Sequence, residues 1–101
     1  MVKHVVAWRL KESAFGNGKA ENARRLRDML LALRGRIPGL VRLEVGLDFS
    51  ATANSADVVL VSEFESRDAL AAYQIHPEHR AVVDFASRIV AERRIVDYDA
   101  D

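Results

Sequence analysis

The sequence predicts a single α+β domain in which one antiparallel sheet carries helices on one face. The chain has 101 residues, the length of one ordinary domain, so the domain is expected to span residues 1–101. Half of the residues are hydrophobic and 30% are charged, which is a globular composition. Along the chain, the hydrophobic period switches between that of strands and that of helices, in the order β-α-β-β-α-β.

The first element is a strand from Val2 to Leu10. Residue alternation places two sets of side chains on opposite faces: Val2, His4, Val6, Trp8 and Leu10 on one, and Lys3, Val5, Ala7 and Arg9 on the other. Both sets contain apolar residues at the centre of the strand. We therefore expect this strand to be covered on both sides.

The second element is a helix from Lys19 to about Arg36, after a loop with the turn signal Gly16-Asn17-Gly18. Apolar residues recur there at steps of three and four: Ala23, Leu26, Leu30, Leu33 and Ile37. The basic residues of the other face indicate a solvated surface or, alternatively, a binding face. Pro38-Gly39 ends the helix.

Two strands follow, from Leu40 to Phe49 and from Asp57 to Phe64. The apolar residues of the first alternate and are expected to share one face: Val41, Leu43, Val45, Leu47 and Phe49. The connection is short enough for an antiparallel hairpin.

The second helical region is split by His76-Pro77. A short helix over 66–73 has Ser66 as its predicted N-cap, and Pro77 suits the first position of a new helix that extends to about Val90. That helix is expected to bury Val82, Phe85, Ala86 and Ile89. A final strand from Arg94 to Tyr98 completes the order of a ferredoxin-like sheet.

A second copy of the chain is the simplest cover for the sheet face that the helices leave open. The first and third strands are apolar on both sides, and helices cover only one side. We therefore expect a homodimer related by a two-fold axis; a monomer with a partly exposed apolar face is the alternative.

Charge and composition exclude several other partners. Fifteen basic residues balance fifteen acidic ones, so no nucleic acid or anionic membrane partner is expected. The apolar runs are far shorter than the roughly 20 residues needed to span a bilayer. The N-terminus lacks the features of a signal peptide, which makes a cytoplasmic protein the expectation. There is no cysteine to form a disulfide or a thiolate metal site.

The residues that can carry chemistry are Tyr73, His76, His79 and His4, three of them within seven positions. If Pro77 begins a helix, His79 is its third residue, and the helix dipole should lower the pKa of His79 below about 6.5. A neutral imidazole accepts a proton, and a tyrosine hydroxyl donates a hydrogen bond to a carbonyl oxygen.

Each of these residues also has a purely structural interpretation. His76 suits a helix cap, His79 a half-buried helix position, and Tyr73 a core aromatic. His4, on the face of Trp8, suits a core histidine that needs a hydrogen-bond partner. A metal site built from His76, His79 and His4 is weakly indicated because no carboxylates cluster there, so we predict neither a metal nor a cofactor.

The sequence resembles the stress-responsive A/B barrel domain (Dabb) family over nearly its whole length. The resemblance rests on short segments spread along the chain: Val2-Lys-His-Val-Val6, Ile37-Pro38, Ser62-Glu-Phe-Glu-Ser66, Tyr73-x-x-His-Pro-x-His79 and Ile95-Val-Asp-Tyr98. It implies a ferredoxin-like protomer and a homodimer whose two sheets form a barrel.

The resemblance also implies a small-molecule pocket. A plant member of the family closes a linear polyketide by intramolecular aldol condensation without a cofactor, and its key residues match His79 as base, Tyr73 as holder of a carbonyl oxygen and His4 as a positioning residue. We expect Trp8 and His76 to bind substrate beside them. A cofactor-independent cyclase or lyase acting on an apolar or aromatic carbonyl compound is the leading hypothesis. The alternatives are a non-catalytic, stress-associated ligand-binding protein and a cofactor-free monooxygenase.

Overall fold

A computed structural model describes residues 1–100 of the protein. Its elements, in chain order, are β1 Val2–Leu10, β2 Ser13–Ala14, β3 Asn17–Gly18, α1 Lys19–Leu31, β4 Leu40–Leu47, β5 Val58–Phe64, α2 Arg67–Gln74, α3 Pro77–Ile89 and β6 Val90–Asp99. The four long strands form one antiparallel sheet in the order β4-β5-β1-β6. The predicted ferredoxin-like α+β fold is confirmed.

β1 is a central strand of the sheet, paired with β5 on one side and β6 on the other. The face of β1 that carries His4, Val6 and Trp8 is buried against the helices. Leu26 and Leu30 of α1 and Ile89 of α3 are almost completely buried over the same core. The apolar faces that the sequence periodicity predicts for the strands and for the helices thus pack together in one hydrophobic core.

Two side-chain caps fix the starts of α2 and α3. The Ser66 side chain accepts a hydrogen bond from the Ala69 N–H at 3.0 Å and begins α2. The His76 Nδ1 accepts one from the Glu78 N–H at 3.1 Å and begins α3, whose first residue is Pro77. Proline lacks the N–H that a residue inside a helix donates, so Pro77 cannot continue α2. The first position of a helix needs no such N–H, so α3 can begin at Pro77. Both predicted helix starts are confirmed.

The structure corrects several predicted boundaries. α1 ends at Leu31 instead of near Arg36, although Leu33 and Ile37 stay buried in the turns that follow. Residues 13–18 contain the small β2–β3 hairpin instead of only a loop. β6 follows α3 directly and begins at Val90, four residues earlier than predicted.

The predicted apolar face of β4 is wrong at both ends. Val41 is 53% exposed because the pairing with β5 shifts register between Leu40 and Arg42, which turns Val41 away from the core. Phe49 lies beyond the end of β4 and is 96% exposed. In α3, Phe85 is only partly buried and stacks on Phe15 with ring centroids 5.8 Å apart.

The face of the sheet away from the helices carries a row of valines across three strands. Val5 of β1 lies opposite Val61 of β5 and Val96 of β6. Val5 and Val61 are partly exposed, and Val96 is 60% exposed. This outer valine row is the apolar second face that the sequence pattern predicts. No helix within residues 1–100 has the length and apolar character needed to cross a membrane.

Candidate functional site

A cavity of about 370 Å³ lies between the helix-facing side of the sheet and α3. Apolar side chains form most of its wall: Val6, Trp8, Leu30, Leu60, Val82, Val83, Ala86 and Val90. The polar lining residues are His4, Tyr73, Gln74, His79, Ser87 and Arg93. Its size and composition, apolar with a few polar groups, are those of small-molecule sites.

Tyr73 reaches the cavity from the last turn of α2. Its ring packs against Phe64 at a centroid distance of 5.0 Å, and the side chain is almost completely buried. The hydroxyl has no hydrogen-bond partner within residues 1–100. Burial raises the pKa of this hydroxyl, with a small opposing effect from Arg93, so the group remains a protonated donor at neutral pH.

His79 is the third residue of α3, and its ring lies against Tyr73 with the centroids 3.9 Å apart. The His79 Nδ1 is also buried without a hydrogen-bond partner in the described part of the chain. Two unpaired buried polar atoms on touching side chains are unusual in a folded protein. Both side chains line the cavity, which makes these two atoms the candidate hydrogen-bonding groups of the site.

The pKa of His79 is lowered, mainly by burial. The Gln74 backbone opposes this shift, while positive charge on His4, Arg93 and His76 adds to it. The predicted direction is therefore confirmed, although burial is the largest cause, instead of the helix dipole that the sequence suggested. A neutral imidazole at pH 7 can accept a proton.

His4 is held by Asp97, a residue that the sequence analysis did not single out. The His4 Nδ1 and the Asp97 Oδ1 are 2.5 Å apart, and the two residues are register partners on β1 and β6. Because a carboxylate accepts, the His4 Nδ1 donates, and Nε2 is the ring nitrogen that Asp97 does not engage. The His4 and Tyr73 ring centroids are 6.0 Å apart.

The remaining predicted site residues separate into two places. Trp8 lines the cavity together with His4, Tyr73 and His79. His76 is not a lining residue: its imidazole caps α3, which matches the structural interpretation of that histidine. The chain within residues 1–100 has no group of three histidines or acidic residues placed to hold a metal ion.

Asp97 and Arg93 are the charged site residues that sequence reasoning missed. Both lie on β6, and Arg93 is the register partner of Trp8. Asp97 is part of the closing segment Ile95-Val-Asp-Tyr98. The signal that could have identified it was an acidic residue inside a predicted strand, in a chain whose first strand carries His4 on an apolar face.

Comparison with known proteins identifies relatives of the chain. The family model of the stress responsive A/B barrel domain matches residues 2–100. A dimeric ferredoxin-like protein of unknown function from Bacteroides fragilis is 28% identical, with a TM-score of 0.86 over 98% of this chain and 95% of that one. None of the curated proteins matches the chain.

Two more distant structures share the fold. A hydroxynitrile lyase from Passiflora edulis is 14% identical, with a TM-score of 0.81 over 99% of this chain and 93% of its own. A protein from Nitrosomonas europaea whose assignment as an antibiotic biosynthesis monooxygenase is inferred is 22% identical. Its TM-score is 0.77 over 99% of this chain and 98% of its own. At these identities the likeness is one of fold.

Proposed function

Because the chain belongs to the stress responsive A/B barrel domain family, we propose that it is a homodimeric barrel protein that binds a small carbonyl compound in each protomer. We further propose that it acts on this compound as a cofactor-independent cyclase or lyase. The observation that carries this proposal is the pair of unpaired buried atoms, Tyr73 Oη and His79 Nδ1, on side chains that line one cavity.

The chemistry assigned to this pair is proton abstraction next to a carbonyl group. Neutral His79 takes a proton from the adjacent carbon, and the C–H electrons pass into an enolate. The Tyr73 hydroxyl donates a hydrogen bond to the enolate oxygen as negative charge builds there. The enolate carbon then attacks a second carbonyl of the same molecule, and the new alkoxide recovers the proton from His79.

His4 and Trp8 are assigned to substrate positioning. Asp97 holds the His4 ring, which lines the cavity, in one tautomer and one orientation. Trp8 supplies an apolar wall for the body of the ligand. His76 has no part in this proposed site, because its ring nitrogen is engaged with the first turn of α3.

Two other functions fit the same fold. A non-catalytic, stress-associated protein would use the same cavity for binding alone. A cofactor-free monooxygenase is suggested by a neighbour under 25% identical, which supports the fold and adds no residue to the argument. The lowered pKa of His79 beside a protonated Tyr73 favours proton transfer over binding alone.

The proposed homodimer rests on the outer valine row and on the relatives. The B. fragilis protein is dimeric and shares 28% of its sequence with this chain. A two-fold pairing of the outer sheet faces would bury Val5, Val61 and Val96.

The test is deuterium exchange into the carbon next to a ketone. Polyketide-like and aromatic ketones are first screened by thermal shift against the wild-type protein, and the best ligand is then incubated with enzyme in D₂O and followed by NMR. We expect exchange with wild type and a reduction of at least about 100-fold in His79→Gln, the size typical of a lost general base. Tyr73→Phe should also slow exchange.

His76→Asn is the matched control, since asparagine preserves a helix cap and His76 lies outside the cavity. It should exchange close to the wild-type rate, because His76 makes the smallest of the contributions that lower the pKa of His79. Ligand stabilisation that survives His79→Gln, together with no exchange by wild type, would assign the protein to binding without catalysis.

A further inference from the structure

Arg93 is the one permanently charged residue that lines the cavity: no lysine and no acidic residue of the described chain lines it. Arg93 stands on the helix-facing side of β6, as the register partner of Trp8 on β1. Its side chain is exposed, which places the guanidinium at the solvent edge of the cavity. The cavity therefore has an apolar wall and a positive edge.

The carboxylates of β6 are all engaged with other residues. Glu92 pairs with Arg9 at 3.4 Å and with Arg94 at 2.8 Å. Asp97 pairs with His4, and Asp99 pairs with Arg67. This leaves the Arg93 guanidinium with no ion pair and no hydrogen bond to any of residues 1–100.

The charge of Arg93 reaches the reacting groups. It lowers the pKa of Tyr73 and also that of His79, in each case as a smaller effect than burial. Because Arg93, Tyr73 and His79 line one cavity, an anion bound at Arg93 lies close enough for the rest of the same small molecule to touch the other two side chains. An arginine presents a planar fork of N–H donors that matches the two oxygens of a carboxylate or of a phosphate.

Resting on the proposed function, we infer that the ligand is a carbonyl compound bearing an oxyanion, and that Arg93 binds the oxyanion while the carbonyl oxygen faces Tyr73. Arg93 is thus a specificity residue for acids over neutral ketones. The apolar wall around Trp8 and Val6 holds the carbon skeleton between these two polar ends. A cavity of about 370 Å³ accommodates one such molecule.

The experiment compares three ligands that share one acetophenone skeleton: 4-acetylbenzoate, its neutral methyl ester and 4-acetylphenyl phosphate. Dissociation constants are measured by calorimetry with wild type, Arg93→Gln and Arg94→Gln. Arg94 is the matched control, because it is the next residue, is paired with Glu92, and lies on the opposite face of β6 as the register partner of Ala7. Comparing the acid with the phosphate distinguishes the two sources of the oxyanion.

We expect wild type and Arg94→Gln to bind one of the two anions at least about 10-fold more tightly than the ester, the worth of one charge-assisted hydrogen bond. Arg93→Gln should lose that preference by weakening the anion while leaving the ester unchanged. Equal binding of ester and anions by wild type, or a preference that survives Arg93→Gln, overturns the inference.

Deuterium exchange at the acetyl group separates this inference from the proposed function. Exchange in both the acid and the ester, without any preference in binding, removes the role of Arg93 and leaves the proton-transfer chemistry standing. An anion preference that depends on Arg93, with no exchange in any ligand, supports the role of Arg93 and contradicts catalysis.

Discussion

His79 combines deep burial with a titratable ring, and this combination makes the stability of the fold depend on pH. The pKa of His79 in the folded protein is below its ordinary value of about 6.5, mainly through burial. Below pH 6.5 the unfolded chain therefore binds more protons at this residue than the folded chain does. The free energy of unfolding should fall as pH drops from 7 through 6.5 and below.

Urea unfolding between pH 8 and pH 5 measures this dependence. We expect His79→Gln to have a shallower decline than wild type between pH 6.5 and 5, because a neutral side chain removes the proton uptake. His76→Asn should keep most of the decline, because His76 makes the smallest of the contributions that lower the pKa of His79. Identical slopes for wild type and His79→Gln would contradict the assignment of a lowered pKa to His79.

In the proposed site Asp97 acts through His4, so its loss should slow the proposed reaction without a large effect on folding. Asp97→Asn removes the carboxylate that holds the His4 Nδ1–H, so the His4 ring loses its fixed tautomer and orientation. We expect deuterium exchange to slow by about tenfold with ligand affinity nearly unchanged, a size typical of a lost supporting hydrogen bond. NMR of the histidine ring nitrogens checks the cause, because the tautomer of His4 should change in this variant and remain in Asp99→Asn.

At this scale, the sequence predicted the residues that are chemically rare and missed those that depend on strand pairing. Tyr73 and His79 are close in the chain, so one helix-turn-helix corner brings them together whatever the rest of the fold does. Asp97 and Arg93 reach the site only through the register of β6 against β1, which joins residues more than 80 positions apart. Hydrophobic periodicity carries no information about that register.

The elements show the same division between local and distant causes. Ser66 and Pro77 were correctly predicted as helix starts because capping depends on the residue itself and its next few neighbours. Val41 was wrongly placed in the core because its exposure depends on a register shift between β4 and β5. The end of α1 was overestimated for a related reason: Leu33 and Ile37 are buried by the turns that follow the helix, so apolar spacing alone extends the pattern too far.

Gly39 lies in the connection between α1 and β4, where two structural constraints favour glycine. Its φ of +80° is unfavourable for other residues, and an added Cβ would stand 2.5 Å from the Ala69 Cβ of α2. Gly39→Ala should therefore lose about 1 kcal/mol of stability to backbone strain and a further 1–3 kcal/mol to overpacking.

Gly35 provides the matched comparison for this prediction. It has a φ of +76°, but nothing lies within 4 Å of an added Cβ. Gly35→Ala should then lose only the strain, about 1 kcal/mol in urea unfolding. Equal losses of unfolding free energy in the two variants would show that the contact with Ala69 of α2 does not limit the residue at position 39.

On the scale of the whole molecule, the two faces of the sheet have different covers. The inner face is buried by the three helices and includes the cavity, whereas the outer valine row has no cover among residues 1–100 of the protomer. Apolar sheet faces of this kind are normally covered in folded proteins. A barrel made from two outer faces would leave each cavity on the helix side, within its own protomer.

The outer valine row therefore predicts how the dimer can be broken without disturbing the site. Val61→Glu places a carboxylate at the β5 end of the row, beside Val5, where pairing of two copies would bury two charges on the two-fold interface. Wild type should sediment at twice the chain mass of 11.3 kDa at micromolar concentration, and Val61→Glu should shift to a single chain. Ile75→Glu is the control, because Ile75 is 71% exposed at the helical corner, outside the sheet face, and should leave the mass unchanged. A wild-type particle of one chain mass, or a Val61→Glu dimer, would show that the outer face does not pair with a second copy.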